Sequence, residues 1–296
     1  MKMMHASRGR AIGILSILLL LVFLVMALPG CAREVKPQQP EEPDHLPTAT
    51  PEPAPSEGTI TPMLYLVRGE KLGVATREMP STAGVARAAL TALLAGPTDR
   101  DVEAGLSTEI PAGTTLNDVA ISDGVATVDL SPEFEGGGGS LSMQLRVAQV
   151  VYTLTALPTV NSVAFRIDGK LVEAIGGEGV IVSPPVDRAV FADNTLPAIL
   201  VETPAPWQKV ASPLRVAGMS NTFEAAFSYE IVDQAGLIVA EGSGMATAGT
   251  GTWGTFDVTV PFEVTRKGAG SLVVFELSAK DGSRINLVEI PLEFEK

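Results

Sequence analysis

The chain has 296 residues, of which 46% are hydrophobic, and its 34 acidic residues against 21 basic ones give a formal net charge of −13. So acidic a chain does not bind nucleic acid or an anionic lipid surface through its overall charge. Its single cysteine excludes an intramolecular disulfide. The length is sufficient for two folded domains.

Residues 1–30 have the layout of an export signal. Lys2, Arg8 and Arg10 form a basic start, and an uncharged run dominated by Leu, Ile and Val follows over 11–29. A membrane-spanning helix of about 20 apolar residues is the alternative for such a run. Residues 28–31, at the end of this run, favour an export signal over a membrane-spanning helix.

Leu28 and Gly30, together with Cys31, resemble the lipobox that lipoprotein signal peptidase cleaves. Cleavage places Cys31 at the new N-terminus, where its thiol carries a diacylglyceryl group. The net charge then changes from −13 to −16, because 21 minus 3 basic residues face 34 acidic ones. One acyl chain alone binds a membrane only marginally, so two or three are expected. We predict an extracytoplasmic protein anchored to the cell membrane through lipid on Cys31.

Residues 31–61 are predicted to be a disordered linker. They hold seven prolines, six acidic residues and almost no large apolar side chains. Such a composition cannot bury a core and favours extended, polyproline-like chain. At about 3.1 Å per residue the linker could reach roughly 90 Å from the bilayer.

Residues 62–186 are predicted to form an α+β domain that contains two hairpins. The first covers 120–130 and turns at Asp123-Gly124, and the second covers 163–172 and turns at Asp168-Gly169. An Asp-Gly dipeptide suits the type I′ turn of a two-residue hairpin. Alternating apolar residues in the second arm of the first hairpin indicate one buried face.

Two helices are predicted in the same domain from apolar residues that recur with a 3.6-residue period. The first begins with Ser81 or Thr82 as its cap and ends at Gly96, which a proline follows. The second covers about 141–157. Helices and hairpins that share one sheet are typical of an α+β fold.

Residues 197–296, which follow a predicted linker at 187–196, show no helical period. Turn-forming residues separate seven short apolar segments within this stretch, which predicts an antiparallel β-sandwich of immunoglobulin type. The segments lie near 199–201, 213–217, 223–232, 237–240, 253–260, 271–278 and 285–294. Trp253 is predicted to be a core or sheet-packing aromatic rather than a ligand contact.

The two histidines, His5 and His45, both lie outside the predicted domains, as does the single cysteine. Serine or cysteine nucleophiles activated by histidine are therefore excluded, and so are zinc sites built from His and Cys. We expect no catalytic residue, no bound metal and no cofactor. The acidic loops leave a calcium site open, although no EF-hand spacing is present.

The glycine run 136–139, followed by Ser140, raises the alternative of a phosphate cradle at a helix start. It lacks the Gly-Lys-Ser/Thr ending of a P-loop, and the acidic Glu135 precedes it. The residues favour a flexible loop with Ser140 as the cap of the second helix.

Two pairs of acidic residues, Glu133 with Glu135 and Asp123 with Asp129, raise the alternative of a hydrolase that uses carboxylates. That chemistry needs a separation of about 5–10 Å across a cleft. Nothing in the sequence indicates a cleft, so solvated surface carboxylates are the favoured reading.

Four segments of the first predicted domain resemble the GerMN domain of sporulation and spore-germination proteins. They occur in the expected order within about residues 63–180, at 93–97, 124–131, 148–155 and 168–170, with Val163 between the last two. The second predicted domain is similar to the immunoglobulin-like spore-germination domain that often follows GerMN. The residues that carry this similarity are Pro204, 212–213, 216–218, 221–225, Trp253, Phe256, 260–262 and 280–282.

The resemblance implies an α+β fold akin to the ring-building motifs of envelope machines, and a non-enzymatic binding or scaffold role in the cell envelope. The expected processes are sporulation, spore germination and cell-wall homeostasis, and the expected partners are envelope proteins or a peptidoglycan-associated partner. Self-association into a homo-oligomer stays open. The alternative is a ligand- or carbohydrate-binding lipoprotein that serves a transporter or a cell-wall enzyme.

Overall fold

The computed structural model describes residues 58–177 and 179–295. The predicted signal 1–30, Cys31 with Leu28 and Gly30, and the linker as far as residue 57 lie outside these ranges, so the predictions made for them stay predictions. Among the described residues, no helix combines the length and the apolar character needed to cross a bilayer.

The described ranges contain helices and strands in an order that changes from mixed α and β to β alone. The helices are α1 (Val85–Leu94), α2 (Asp99–Glu103), α3 (Ser140–Thr155) and α4 (Arg188–Thr195). The first ten strands are β1 (Thr59–Ile60), β2 (Met63–Arg68), β3 (Lys71–Thr76), β4 (Met79–Pro80), β5 (Leu116–Ser122), β6 (Val125–Leu130), β7 (Ser162–Ile167), β8 (Lys170–Leu171), β9 (Ala174–Ile175) and β10 (Val180–Ile181). The remaining strands are β11 (Ile199–Thr203), β12 (Gln208–Val210), β13 (Leu214–Ser220), β14 (Ala226–Asp233), β15 (Ile238–Met245), β16 (Gly254–Val260), β17 (Gly268–Leu277) and β18 (Arg284–Phe294).

The first domain is an α+β fold with α3 at its centre. The strands form a β2–β3 hairpin and a sheet in the order β5-β6-β7-β8. Within that sheet β6 and β7 are parallel, and α3 supplies the long connection that parallel strands require. Every residue of α3 from Leu145 to Leu154 is buried, because α1, α4, β2 and β7 all pack around the helix.

Both predicted hairpins turn where the sequence indicates. Asp123 and Gly124 have φ angles of 51° and 79°, and Asp168 and Gly169 have φ angles of 48° and 77°. Two successive positive φ values are typical of a type I′ turn, whose twist matches that of the flanking strands. The buried face predicted for the first hairpin is confirmed, since Ala126, Val128 and Leu130 are 0% exposed.

The prediction for the start of α1 is wrong, whereas that for its end is confirmed. Gly84, not Ser81 or Thr82, is the N-cap, because the Thr82 hydroxyl accepts the Gly84 N–H (3.1 Å) ahead of the helix. At the other end Gly96 has a φ of 80°, and its N–H donates to the Leu93 carbonyl (3.0 Å). This left-handed glycine ends the helix as expected.

The prediction for the cap of α3 is also wrong, by one residue. Gly139 is the N-cap, and Ser140 is the first residue of the helix itself. The helix ends at Thr155, two residues before the predicted end. Boundaries of this kind commonly shift by one or two residues because helix ends fray.

The second domain is a sandwich of immunoglobulin type, as predicted. One sheet has the order β11-β13-β16, and the other has the order β12-β18-β17-β14-β15. The seven predicted segments correspond to seven of these strands. The eighth, β12, was not predicted; its three residues pair in parallel with the end of β18. Apolar side chains from both sheets fill a core between them.

The segment 187–196, predicted to be a linker, contains α4. The Asp187 carboxylate caps this helix by accepting the Ala189 N–H (2.9 Å). Phe191, Ala192 and Leu196 belong to the hydrophobic core of the first domain. The linker prediction is therefore wrong, because the segment carries an apolar stripe that packs against α3. The predicted N-terminal linker likewise ends earlier, since β1 pairs with β4.

The first core continues across the boundary between the domains. Leu200 of β11 is 2% exposed and belongs to the core cluster of the first domain, although its strand is part of the sandwich. Met219 and Trp253 of the sandwich are half-buried against the same cluster. Burying one large aliphatic side chain stabilises a fold by about 1.5–3 kcal/mol. The two domains therefore share apolar packing.

Candidate functional site

The glycine run 136–139 does not form an anion cradle. The buried guanidinium of Arg146 donates to the carbonyls of Phe134 (2.7 Å), Gly136 (3.0 Å) and Gly137 (3.2 Å). A phosphate cradle presents backbone N–H groups to its ligand. This loop instead presents carbonyl oxygens to a buried cation. Its role is to bind the Arg146 side chain within the fold.

The carboxylate pairs that raised the hydrolase alternative serve local structure. Asp129 accepts a backbone N–H of the β7–β8 turn (3.0 Å), and Glu135 accepts a backbone N–H directly after β9 (3.1 Å). Asp123 lies in its own hairpin turn and accepts a neighbouring hydroxyl (3.2 Å). A hydrogen bond from Ser131 lowers the pKa of the exposed Glu133. Each of these contacts therefore holds its carboxylate in a local turn or loop.

Within residues 58–177 and 179–295, no three side chains of His, Cys, Asp or Glu are grouped so that they could hold a metal ion.

A polar cluster joins the two domains, and we call it the junction latch: Tyr65, Tyr152, Arg188 and Glu202. Arg188 Nη1 donates to Glu202 Oε1 (3.0 Å), and the Tyr65 hydroxyl donates to the same oxygen. Arg188 also donates to the Tyr152 carbonyl (3.1 Å). Its guanidinium carbon lies 5.0 Å from the Tyr65 ring centroid and 4.9 Å from that of Tyr152. Cation–π contacts of this kind strengthen when they are shielded from water.

Burial sets the protonation state of the latch. It raises the pKa of the Tyr65 hydroxyl well above its ordinary value, and the nearby Glu202 carboxylate raises it further. Burial also raises the pKa of Tyr152. The Arg188 and Glu202 side chains are 24% and 22% exposed, so their ion pair is partly shielded from solvent. The Tyr65 hydroxyl therefore keeps its proton and donates a hydrogen bond to Glu202.

Four further side-chain hydrogen bonds connect the first domain to the sandwich. One belongs to the ion pair of Arg100 with Glu293. The other three join Trp253 Nε1 to Asp193 Oδ1 (2.9 Å), Trp207 Nε1 to the Arg100 carbonyl (2.8 Å) and Arg68 Nη1 to the Glu289 carbonyl (3.1 Å). The chain has two tryptophans, and both lie at this junction. Trp253 has a packing role, as predicted, but it packs across the junction rather than inside the sandwich.

A groove of about 730 Å³ opens between the domains beside these contacts. We call it the junction groove, and its walls come from β3, the turn after α2, β11 and β18. Leu72 and Val74 line it from the first domain, and Ile199, Ile290 and Leu287 line it from the sandwich. Small-molecule and peptide sites commonly occupy clefts of about 300–1,000 Å³ at domain interfaces. The groove is the candidate functional site.

The groove is aliphatic, with charges of both signs. Among the described residues that line it, none is Ser, Thr, Asn or Gln. Its charged side chains are Arg68, Lys71, Glu103 and Glu289. Burial lowers the pKa of Arg68 and the neighbouring Glu289 raises it, while Arg68 Nε is buried without a hydrogen-bond partner. A ligand for this groove must therefore be largely apolar.

Trp207 forms one wall of the junction groove and also borders a second depression of about 550 Å³. Its φ of 62° is uncommon for a bulky residue and costs about 1–3 kcal/mol. Three contacts hold it there. Its backbone N–H donates to the Pro291 carbonyl (2.6 Å), its indole N–H donates to Arg100, and the Arg100 guanidinium lies 5.6 Å from the ring. These contacts therefore fix the position of the Trp207 indole ring in the wall of the junction groove.

Sequence reasoning identified none of the groove residues as a site. They come from segments near positions 70, 104, 200 and 290, and each belongs to an unremarkable apolar strand or turn. An aromatic residue after a Pro-Ala-Pro segment, as at Trp207, is the one local signal that could have been noticed. The predicted lipidation residue, Cys31, lies outside the described residues, as do Leu28 and Gly30.

Comparison with protein families matches each domain separately. Residues 63–173 match the Germane family, described as sporulation and spore germination. Residues 198–283 match the Gmad2 family, described as the immunoglobulin-like domain of bacterial spore germination. The expected domain pair is therefore confirmed in its expected order. The families matched are not known enzyme families.

One relative and two solved structures are similar to parts of this chain. The chain is 30% identical over 135 residues to the spore germination protein GerM of Bacillus subtilis (strain 168); the match covers 45% of this chain and spans about 37% of that relative's length. The first GerMN domain of the same protein is 29% identical, with a TM-score of 0.40, and covers 44% of this chain and 99% of that domain. The crystal structure of a putative lipoprotein from Clostridium perfringens is 21% identical to this chain, with a TM-score of 0.34. The match covers 48% of this chain and 96% of that structure.

The regions matched by the two families leave α4 between them unassigned. They include β2 and β3, which line the junction groove, and β11, which carries Glu202 of the junction latch. Residues 63–173 therefore match a GerMN domain of the sporulation and spore germination family, and residues 198–283 match an immunoglobulin-like domain of bacterial spore germination.

Proposed function

We propose that the chain is a lipoprotein, anchored through Cys31 on the extracytoplasmic side of the cell membrane, that binds envelope partners without catalysis. The signal layout and the lipobox-like Leu28 and Gly30 before Cys31 support the anchor. The absence of His and Cys from residues 58–295 of the sequence supports a role without histidine- or cysteine-based catalysis.

One observation carries the scaffold role. The junction latch and the shared apolar packing of Leu200 hold the two domains together. A rigid pair presents surfaces of both domains to a partner at a fixed spacing, which lowers the entropy lost on binding. The family descriptions, sporulation and spore germination, support a role in one of these processes.

The anchor is tested by metabolic labelling with a palmitate analogue, followed by membrane fractionation. The wild-type chain should incorporate the label and sediment with membranes. Cys31→Ala should lose the label and be released, or should remain as an unprocessed precursor held by its signal. Label that persists on Cys31→Ala would contradict the anchor.

The binding role is tested by cross-linking in native membranes, with identification of the cross-linked species. An envelope protein or a wall glycan that is captured reproducibly, and lost when the latch variant Glu202→Gln is used, supports a partner that needs both domains. Capture of neither would count against the scaffold role.

The second candidate is a ligand-binding lipoprotein, and the volume of the junction groove favours it. Thermal unfolding with soluble wall fragments distinguishes the two functions. A ligand-binding protein should unfold at higher temperature when the fragments are added, because a ligand stabilises the folded state that binds it. A scaffold protein should show no shift.

A further inference from the structure

We infer that the junction groove is a docking site for an extended segment of a partner protein, in which an aliphatic side chain lies next to an acidic residue. The inference rests on the proposed binding function and names the chemistry of the partner. It is drawn from the walls of the groove, from one cation beside it and from an exposed leucine at its edge.

The walls select an aliphatic anchor. Leu72, Val74 and Ile290 line the groove but are only 1%, 4% and 4% exposed, so the accessible apolar surface belongs mainly to other lining residues such as Leu287. Leu287 is 52% exposed at the edge of the groove. Covering an exposed aliphatic side chain contributes about 25 cal/mol per Å² of apolar surface removed from water. A branched aliphatic side chain fits walls of this kind.

Lys71 selects the acidic neighbour. Its ammonium donates one hydrogen bond, to the Asn194 carbonyl (2.9 Å). No described carboxylate lies within 4.0 Å of it, whereas six other basic side chains of the described ranges do form such pairs. An ammonium has three N–H donors, so Lys71 retains donors for a carboxylate of a bound segment.

The remaining charges argue against a polyanion. Glu103 and Glu289 line the same groove as Arg68 and Lys71, so two negative charges balance the two positive ones. A nucleic acid, an anionic wall polymer or an anionic bilayer would be repelled by these carboxylates and by the net charge of −13. One carboxylate beside Lys71 avoids that repulsion.

The polar content argues against a glycan. Sugars are bound through many hydrogen bonds, and the described residues that line the groove include no Ser, Thr, Asn or Gln side chain. A peptide segment needs fewer side-chain hydrogen bonds, because its anchor is apolar. The groove therefore fits a peptide better than a saccharide.

The test is selection of a randomised peptide display library on the full chain in detergent micelles, followed by binding measurements on the selected peptides. The expected peptides carry Leu, Ile or Val within three residues of Asp or Glu. Leu287→Asp and Lys71→Glu should each weaken binding by about tenfold or more, the usual effect of losing an anchor residue. Leu277→Asp is the matched control, since Leu277 is also 52% exposed but does not line the groove.

A charge exchange sharpens the test. Peptides in which Lys replaces the acidic residue should bind Lys71→Glu better than they bind the wild-type chain. Peptides with no aliphatic–acidic pattern, or binding that Leu287→Asp and Lys71→Glu leave unchanged, would overturn the inference. Binding of phosphatidylglycerol vesicles or of muropeptides that Leu287→Asp abolishes would also overturn it, because the groove would then serve a lipid or a glycan.

This experiment is independent of the anchor and of the native partner. If the cross-linked envelope partner is retained by Leu287→Asp, the docking inference fails while the binding function stands. If no partner is captured and no peptide is selected, both fail.

Discussion

The Tyr65 hydroxyl and Arg188 donate hydrogen bonds to the same oxygen of Glu202. Tyr65 belongs to β2 of the GerMN domain and Glu202 to β11 of the sandwich, 137 positions apart in sequence. A hydrogen bond to a charged group contributes about 1.5–3 kcal/mol to stability. This contact therefore has a measurable effect on how firmly the domains are joined.

Removing either partner should destabilise the protein, and removing both should cost less than the sum. Tyr65→Phe and Glu202→Gln are each expected to lower the free energy of unfolding by about 1–3 kcal/mol. In the double variant the two losses overlap, because both substitutions remove one interaction. Urea denaturation measures all four free energies. Asp257→Asn is the control: its pair with Arg215 is 57–61% exposed, so little or no change in stability is expected. Additive losses would contradict the direct coupling.

Stability should fall at alkaline pH because of Tyr65 and Tyr152. The pKa of each phenol is raised in the folded protein by burial, whereas an unfolded tyrosine has a pKa of about 10. The folded state therefore favours the protonated phenols, and their contribution is complete below about pH 10 and declines as the pH rises above it. The midpoint of urea unfolding, followed from pH 8 upward, should drop above about pH 10. Tyr65→Phe should flatten this dependence, and an identical drop in that variant would contradict the assignment.

Arg146 should not be replaceable by lysine. The guanidinium of Arg146 donates to the carbonyls of residues 134, 136 and 137. The compact ammonium of a lysine lacks this planar fork of donors and cannot reach all three carbonyls. Arg146→Lys is expected to cost about 2–4 kcal/mol, since buried carbonyls lose their donors. Limited proteolysis should also cut faster near the glycine run. Arg166→Lys, at an exposed arginine of β7, is the control, and equal effects of the two substitutions would refute the role of Arg146.

Leu200→Ala should destabilise both domains together. Leu200 is 2% exposed and packs in the first core from the second domain, so its truncation is expected to cost about 2–5 kcal/mol. Tryptophan fluorescence reports on the junction, because both tryptophans lie there, and circular dichroism reports on the whole chain. The two probes should give one transition for the wild type and for the variant. Leu277→Ala, 52% exposed, should change stability by less than about 1 kcal/mol. Separate transitions in the wild type would show that the domains unfold independently.

The sequence predicted correctly those turns and strands that are determined by a few neighbouring residues. Asp123-Gly124 fixes a turn because both residues adopt positive φ, and alternation in β6 marks its buried face. The same reasoning failed for α4. Its eight residues carry too few apolar side chains for a clear period, and their role becomes visible only when α3 is present to cover Phe191. Caps also failed, since whether Thr82 or Gly84 ends the turn before α1 depends on the path of the chain rather than on residue type.

The candidate site was harder to predict from the sequence than the fold. The sequence excludes histidine- and cysteine-based chemistry, which needs only a count of residues. The junction groove depends on Leu72 and Ile290 meeting across a domain boundary, and no local pattern encodes a distance between such segments. Trp207 adopts its positive φ because Pro291 and Arg100 hold it, and those contacts also come from distant parts of the chain.

The presence of α4 where a flexible connection was expected has a mechanical consequence. An extensible peptide between two domains would absorb a pull by straightening. Here α4 packs against α3, and Arg188 in the first turn of α4 donates a hydrogen bond to Glu202. A force on one domain therefore acts on many contacts at the same time. The two domains are therefore expected to keep a fixed orientation to each other when force is applied to one of them.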